Sequence, residues 1–291
     1  MEVKNKLNKS GFISIIEGFN ETKQDNIIDL SNIKFADVFG IVSLILLLKK
    51  EKNNGNQIEL ILPKDFNVAN YLHISGFINY VKNMTSIKYK ALNYLSKFQG
   101  KIDINNNKDY MPIQLVNSTD DIENIVRNVK EWLKNKKIPE ITLGRIVTLL
   151  SELLDNALHH SNTEIGCVFM MQKYKSKVMI SVADFGVGIK ESLEKNKKYE
   201  KMFVSNTDAM QYIFTDKNYI SSIDEKGRGN GFWTLNELSK ENKMEFYICS
   251  REGFYSLEYR DGKNYREAKK IYDLYGTHVN FCINCIDNVE E

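Results

Sequence analysis

Cysteine is scarce in this chain, with four among 291 residues. Such sparse use excludes a disulfide-stapled secreted scaffold and fits a reducing cytoplasm. Cys282 and Cys285 form a Cys-x-x-Cys pair. In the strand expected there, residues three apart point to opposite faces, and no second pair or suitable His completes a zinc site. An excess of one charge is also missing. The 40 basic and 38 acidic side chains leave a net charge of +2, so neither nucleic acid nor a membrane surface is expected as the main partner. Lys195-Asn196-Lys197-Lys198 reads as a solvated face. The longest apolar run, Ile41 to Leu48, is too short to span a bilayer. The N-terminus lacks the charged region, apolar core and cleavage site of a signal peptide. A soluble cytoplasmic protein is expected.

What is present is ordinary globular material, 42% apolar and 27% charged, long enough for about two domains. The first part alternates strand and helix signals. Asn26 to Leu30 is a short strand. Asp37 is a plausible N-cap for a helix running through Ile41 to Lys49. Gln57 to Leu62 is a strand stopped by Pro63, and Asn67 to Ile74 is helical up to Ser75-Gly76. This order implies a small, partly parallel α/β sheet over residues 1–96. The polar stretch 97–110, with Asn105-Asn106-Asn107 inside, is the expected linker. A second domain is expected over 111–291. It should hold helices at Thr119 to Lys136 and Glu140 to His160, and strands at Gly166 to Lys173 and Lys177 to Ala183. Lys190 to Lys226 is charged and poorly periodic, with one helical piece around Asp208 to Phe214, and reads as a lid. A helix should run from Gly231 to Leu238, followed by strands at Met244 to Ser250, Gly253 to Tyr259 and His278 to Ile286.

Four segments carry candidate chemistry. In Ser151-Glu152-Leu153-Leu154-Asp155-Asn156, Glu152 and Asn156 lie four apart and share one helical face. An acid can take a proton from water or a hydroxyl, and an amide oxygen can hold a hard cation that bridges phosphates. Asp184-Phe185-Gly186-Val187-Gly188 ends a strand, where glycines let the backbone turn and approach a ligand. A buried carboxylate there can accept from an exocyclic amine. Gly227-Arg228-Gly229-Asn230-Gly231 leads into a helix, so free N–H groups stand where phosphates can sit. Arg228 is either a phosphate contact or a solvated loop charge. Gly276-Thr277 starts the last strand, where a hydroxyl can support a base pocket. The Walker A and Gly-x-Gly-x-x-Gly patterns are both absent.

In this order and context the four segments resemble the Bergerat-fold ATP site of the GHKL superfamily, over about Met111 to Ile286. The resemblance implies an α/β sandwich, a mixed sheet with helices on one face, binding ATP and Mg2+. It makes Glu152 the general base, Asn156 the magnesium ligand and Asp184 the adenine reader. Gly186 and Gly188 would flank base and ribose. Gly227, Gly229 and Gly231 would cradle the phosphates, and Thr277 would back the adenine. Asp155 is a lesser candidate, His159 and His160 read as helix-end structure, and Asn230 as a turn residue.

Departures narrow the branch. The chain ends soon after the last strand, so the transducer domain and catalytic lysine of gyrase-like and MutL-like enzymes are not expected. No helical hairpin with a phosphoacceptor His precedes Met111, and His73 sits in the α/β domain. Ile28-Asp29-Leu30-Ser31, Phe35 to Gly40, Ile58 to Pro63 and Leu72 to Phe77 resemble a STAS domain. Val38 and Phe39 stand where that family has Asp-Ser-Ser-Gly serines, so phosphorylation at the usual place is excluded, and Ser43 is a poor substitute. The ATP domain is then similar to anti-sigma-factor kinases or orphan sensor-like ATPases, with a STAS-type or other regulatory protein as partner. Many relatives dimerise, so a homodimer is a further expectation. Two functions are compatible with these features: slow magnesium-dependent ATPase or Ser/Thr kinase activity in bacterial signalling, or a nucleotide-gated interaction module whose turnover is incidental.

Overall fold

A computed structural model describes residues 2–21, 27–88, 109–160, 167–215, 232, 235, 244–260, 263–274 and 276–284. The chain divides into two compact units, Met1–Gln114 with Met170–Gln172, and Leu115–Phe169 with Lys173–Glu291.

The first unit opens with β1 (Asn5–Leu7), α1 (Lys9–Glu21), β2 (Ile27–Asp29) and β3 (Ile33–Ala36). It continues with α2 (Val38–Asn53), β4 (Glu59–Ile61), α3 (Phe66–Ile74), α4 (Phe77–Val81) and β5 (Ser86–Lys88). β2, β4 and β5 form a parallel sheet, and β1 pairs in parallel with β3. α2 begins where Asp37 accepts from the Gly40 N–H at 2.8 Å, as its N-cap position suggests. Every residue from Val38 to Leu48 is buried, so this helix is covered all round, as its unbroken apolar run requires. Phe12 of α1 meets Phe39 edge-on, with ring centroids 6.1 Å apart. A Cβ on Gly40 would stand 2.3 Å from the Leu7 carbonyl oxygen, so only glycine lets α2 come this close to β1. β1, α1, β3 and β5 are not among the elements expected from the sequence, although Phe12, Ile15 and Ile16 of α1 do follow the helical period.

The remaining elements, most of whose residues belong to the second unit, are β6 (Tyr110–Val116), α5 (Thr119–Asn135), α6 (Glu140–His160), β7 (Cys167–Tyr174), β8 (Lys177–Asp184), α7 (Ile189–Glu194), α8 (Asn206–Thr215), β9 (Glu245–Ser250), β10 (Gly253–Arg260), β11 (Lys263–Lys270) and β12 (Thr277–Asn284). Their strands form a seven-stranded sheet. The sheet order is β11-β10-β9-β12-β8-β7-β6. Pairing is antiparallel from β11 through to β8. The whole is a mixed α/β fold with one large sheet.

α5 starts on a reciprocal capping box. The Ser118 hydroxyl accepts from the Asp121 N–H, and the Asp121 carboxylate accepts from the Ser118 N–H. Its buried Ile122, Ile125, Val129 and Leu133 follow the helical period and pack on α6. α6 packs in turn on β8 and β12.

Within the stretch expected as a lid, residues 189–215 form α7, a 3-10 turn at Lys197–Tyr199, and α8, which covers the helical piece expected around Asp208 to Phe214. Tyr199, Phe203 and Tyr212 form an aromatic cluster beneath this segment. Its charges mislead a reading by periodicity because they pair locally, as Lys190 does with Glu194 at 3.2 Å. Phe214 of α8 stacks on Tyr255 with centroids 4.8 Å apart and meets Phe246 at 5.0 Å. Residues 216–226, most of the expected Gly231–Leu238 helix, and Cys285 lie outside the described residues. Cys167, Cys249 and Cys282 are buried.

Candidate functional site

The strand register brings three strand ends together. Val279 pairs with Val182 and Ile248, and Thr277 pairs with Ser250. Side chains alternate between faces, so Asp184, Thr277 and Ser250 project from the same face of the sheet. Phe246 shares that face, and α8 packs on it through Phe214. The four-segment sequence pattern is thus represented here by two of its parts, the Asp184 turn and the Thr277 strand start.

Asp184 is buried. Its Oδ1 accepts the Gly186 N–H at 2.7 Å and the Thr277 N–H at 3.2 Å. Oδ2 has no hydrogen-bond partner among the described residues. Burial pushes the carboxyl up to about 7, against the lowering effect of those two N–H groups. Gly276, at φ +69°, makes the close approach possible, because a Cβ there would stand 2.1 Å from the Asp184 carbonyl oxygen. Gly188 has φ +93° and immediately precedes α7.

Three residues that no sequence motif marks complete the surroundings. The Ser250 hydroxyl accepts from the Ile189 N–H at 2.8 Å and lies 3.3 Å from the Thr277 hydroxyl. Asn206, at the start of α8, accepts from the Lys190 N–H at 2.8 Å. Glu252 accepts from the Asn206 backbone N–H at 2.9 Å and from its side-chain amide at 3.2 Å. The only local signal for these is Ser205-Asn206-Thr207-Asp208. That stretch is a capping box in which Ser205 and Asp208 exchange hydrogen bonds.

Glu152 and Asn156 are half-buried, at the edge of the apolar stripe that α6 turns inward, while Asp155 is exposed. Burial, helped by the charge of Asp155, raises the Glu152 carboxyl. A raised carboxyl is a better proton acceptor for a hydroxyl or water. Among the described residues no group of three or more His, Cys, Asp or Glu side chains could hold a metal ion. A lone amide such as Asn156 would therefore need phosphate or water oxygens to complete a cation's shell. Gly227, Arg228, Gly229, Asn230 and Gly231 lie outside the described residues, as do the side chains of His159 and His160.

No protein-family model matches this chain. No curated protein matches it either. Matching solved structures include the nucleotide-free catalytic domain of the histidine kinase ThkA, at 17% identity and a TM-score of 0.25. That match covers 60% of this chain and 97% of the other. At so low a TM-score the likeness bears on neither the site nor its chemistry.

Proposed function

We propose that the second unit binds ATP with magnesium in the manner of GHKL proteins and transfers its terminal phosphoryl group slowly, to water or to a Ser/Thr hydroxyl of a protein partner. The observation that carries this reading is Asp184. One oxygen is held by two backbone N–H groups, the other has no hydrogen-bond partner among the described residues, and Gly276 lets the Thr277 strand start approach it closely. That is the acceptor an exocyclic amine of a base requires. Thr277 stands beside it. Glu152 would take the proton from the attacking oxygen, and its raised affinity for protons suits that role. Asn156 would hold magnesium together with phosphate oxygens, and the ion when bound would neutralise charge on those oxygens. Gly227, Gly229 and Gly231 would offer N–H groups to the phosphates, with Arg228 beside them.

The first unit is read as a STAS-like scaffold without a phosphoacceptor. Val38, Phe39 and Ser43 are each 0% exposed, so no hydroxyl at the start of α2 is available to a kinase. This observation favours, as a second reading, a nucleotide-gated module whose turnover is incidental. One experiment decides between them. Radiolabelled ATP is incubated with the wild-type chain and with Glu152→Ala, with and without co-purifying proteins. The enzyme reading expects label released or transferred by the wild type, and at least ~100-fold less by a variant that still binds ATP. Equal rates for the two proteins would discard Glu152 as the base. Full biological activity in the variant would favour the gated module.

A further inference from the structure

The polar groups around the Asp184 turn donate in one consistent direction. Glu252 anchors one end. Burial pushes its carboxyl up, but the hydrogen bonds from Asn206 and from its own backbone N–H, together with the charge of Arg251, outweigh that and the net shift is downward, so it accepts from Asn206 as an ion. With its amide nitrogen committed to Glu252, Asn206 turns its Oδ1 the other way, and that oxygen can only accept. It takes the Lys190 N–H at 2.8 Å and the Ser250 hydroxyl at 3.2 Å. Ser250 has a single proton, which is used there, while its oxygen accepts the Ile189 N–H. In the 3.3 Å contact between the two hydroxyls, Thr277 must therefore be the donor. The Thr277 proton points into the network, and only its lone pairs remain for a ligand. Asp184, when ionised, likewise offers only an acceptor.

We propose that Ser250 and Asn206 are positioning residues that determine base specificity: their one-way hydrogen-bond chain fixes the Thr277 hydroxyl as an acceptor and pins the turn from Asp184 to Lys190. The proposal rests on the nucleotide reading above and deepens it. The network and the turn are in direct contact, since a Cβ on Gly188 would stand 3.1 Å from Ser250 Oγ and 3.2 Å from Asn206 Oδ1. A wall that can only accept selects a base for its donors. An exocyclic amine satisfies it, whereas a carbonyl oxygen in the same place leaves acceptor facing acceptor.

The test uses the full chain, wild type, Ser250→Ala and Asn206→Ala, with folding checked by thermal melting. Each protein is titrated with ATP and with inosine triphosphate, which carries a carbonyl oxygen in place of the amine. The wild type should prefer ATP. Ser250→Ala frees the Thr277 proton to turn toward the ligand, so the preference should fall by about tenfold. Equal weakening for both nucleotides, or no change in either, would overturn the specificity role. Hydrogen exchange on the unliganded chain reads the positioning role without nucleotide. The Lys190 amide in Asn206→Ala, and the Ile189 amide in Ser250→Ala, should exchange at least about tenfold faster. Unchanged exchange overturns the network whatever the titrations give. A wild type that binds neither nucleotide refutes the nucleotide reading and the specificity role, while faster exchange in the variants would still uphold the pinned turn.

Discussion

Asp37 and Asp184 are both buried carboxylates that open a glycine-bearing turn, and burial raises both, to about 6 and about 7. Asp37 takes its donors from its own helix, the Gly40 and Phe39 N–H groups. Asp184 takes one donor from its own turn and the other from Thr277, 93 residues further on. The glycines differ in the same way. Gly40 clears a path for the Leu7 carbonyl and lets a helix dock, whereas Gly276 lets one strand start reach the end of another. A buried acid that serves only its own helix is a cap. One that joins two distant strands, and whose second oxygen has no partner among the described residues, is equipped to meet a ligand.

The largest effects should come from the glycines. Gly276→Ala and Gly40→Ala each force a Cβ to within 2.1 Å and 2.3 Å of a carbonyl oxygen, and each should cost about 3 kcal/mol or more of unfolding free energy in denaturant melts. The comparison is sharpened by ligand binding. Below its melting transition Gly40→Ala should retain ATP binding, and Gly276→Ala should lose it. Retained binding in Gly276→Ala would break the contrast.

Next comes pH. A carboxyl whose pKa is raised on folding contributes stability at low pH and loses it as pH rises through the folded value. His278, buried and held down to about 3, works the other way over the same range, so the effect is read as a difference between proteins. The stability of the wild type relative to Asp184→Asn should fall from about pH 4 to about pH 7, and relative to Asp37→Asn it should fall only to about pH 6. ATP affinity should move oppositely, weakening by up to about tenfold between about pH 8 and about pH 6 as Asp184 takes up its proton. A smaller effect is expected of Asp37→Ala, which removes a helix cap at a cost of about 1 kcal/mol, read as a lowered melting temperature with unchanged nucleotide affinity.

Much of the scaffold was legible because it rests on local rules. Asp37 before an apolar run gave the start of α2, and α5 and α6 fall where helices are expected at Thr119 to Lys136 and Glu140 to His160. β11 was not legible, since Lys263–Lys270 is largely exposed and shows no alternation. Its pairing comes from β10 rather than from its own sequence. The site divides along the same line. Asp184, Gly188 and Thr277 stand in recognisable glycine contexts. Ser250, Asn206 and Glu252 meet Ile189, Lys190 and one another only once the sheet has formed, and nothing in the residues beside them announces it.

The most direct test of the central claim is an equilibrium titration of a fluorescent ATP analogue, with and without magnesium, against the wild type, Asp184→Asn and Asp37→Asn side by side. The expected result is magnesium-dependent binding that Asp37→Asn preserves and Asp184→Asn weakens by at least about tenfold. No magnesium-dependent binding to the wild type, or equal binding by Asp184→Asn, would contradict it.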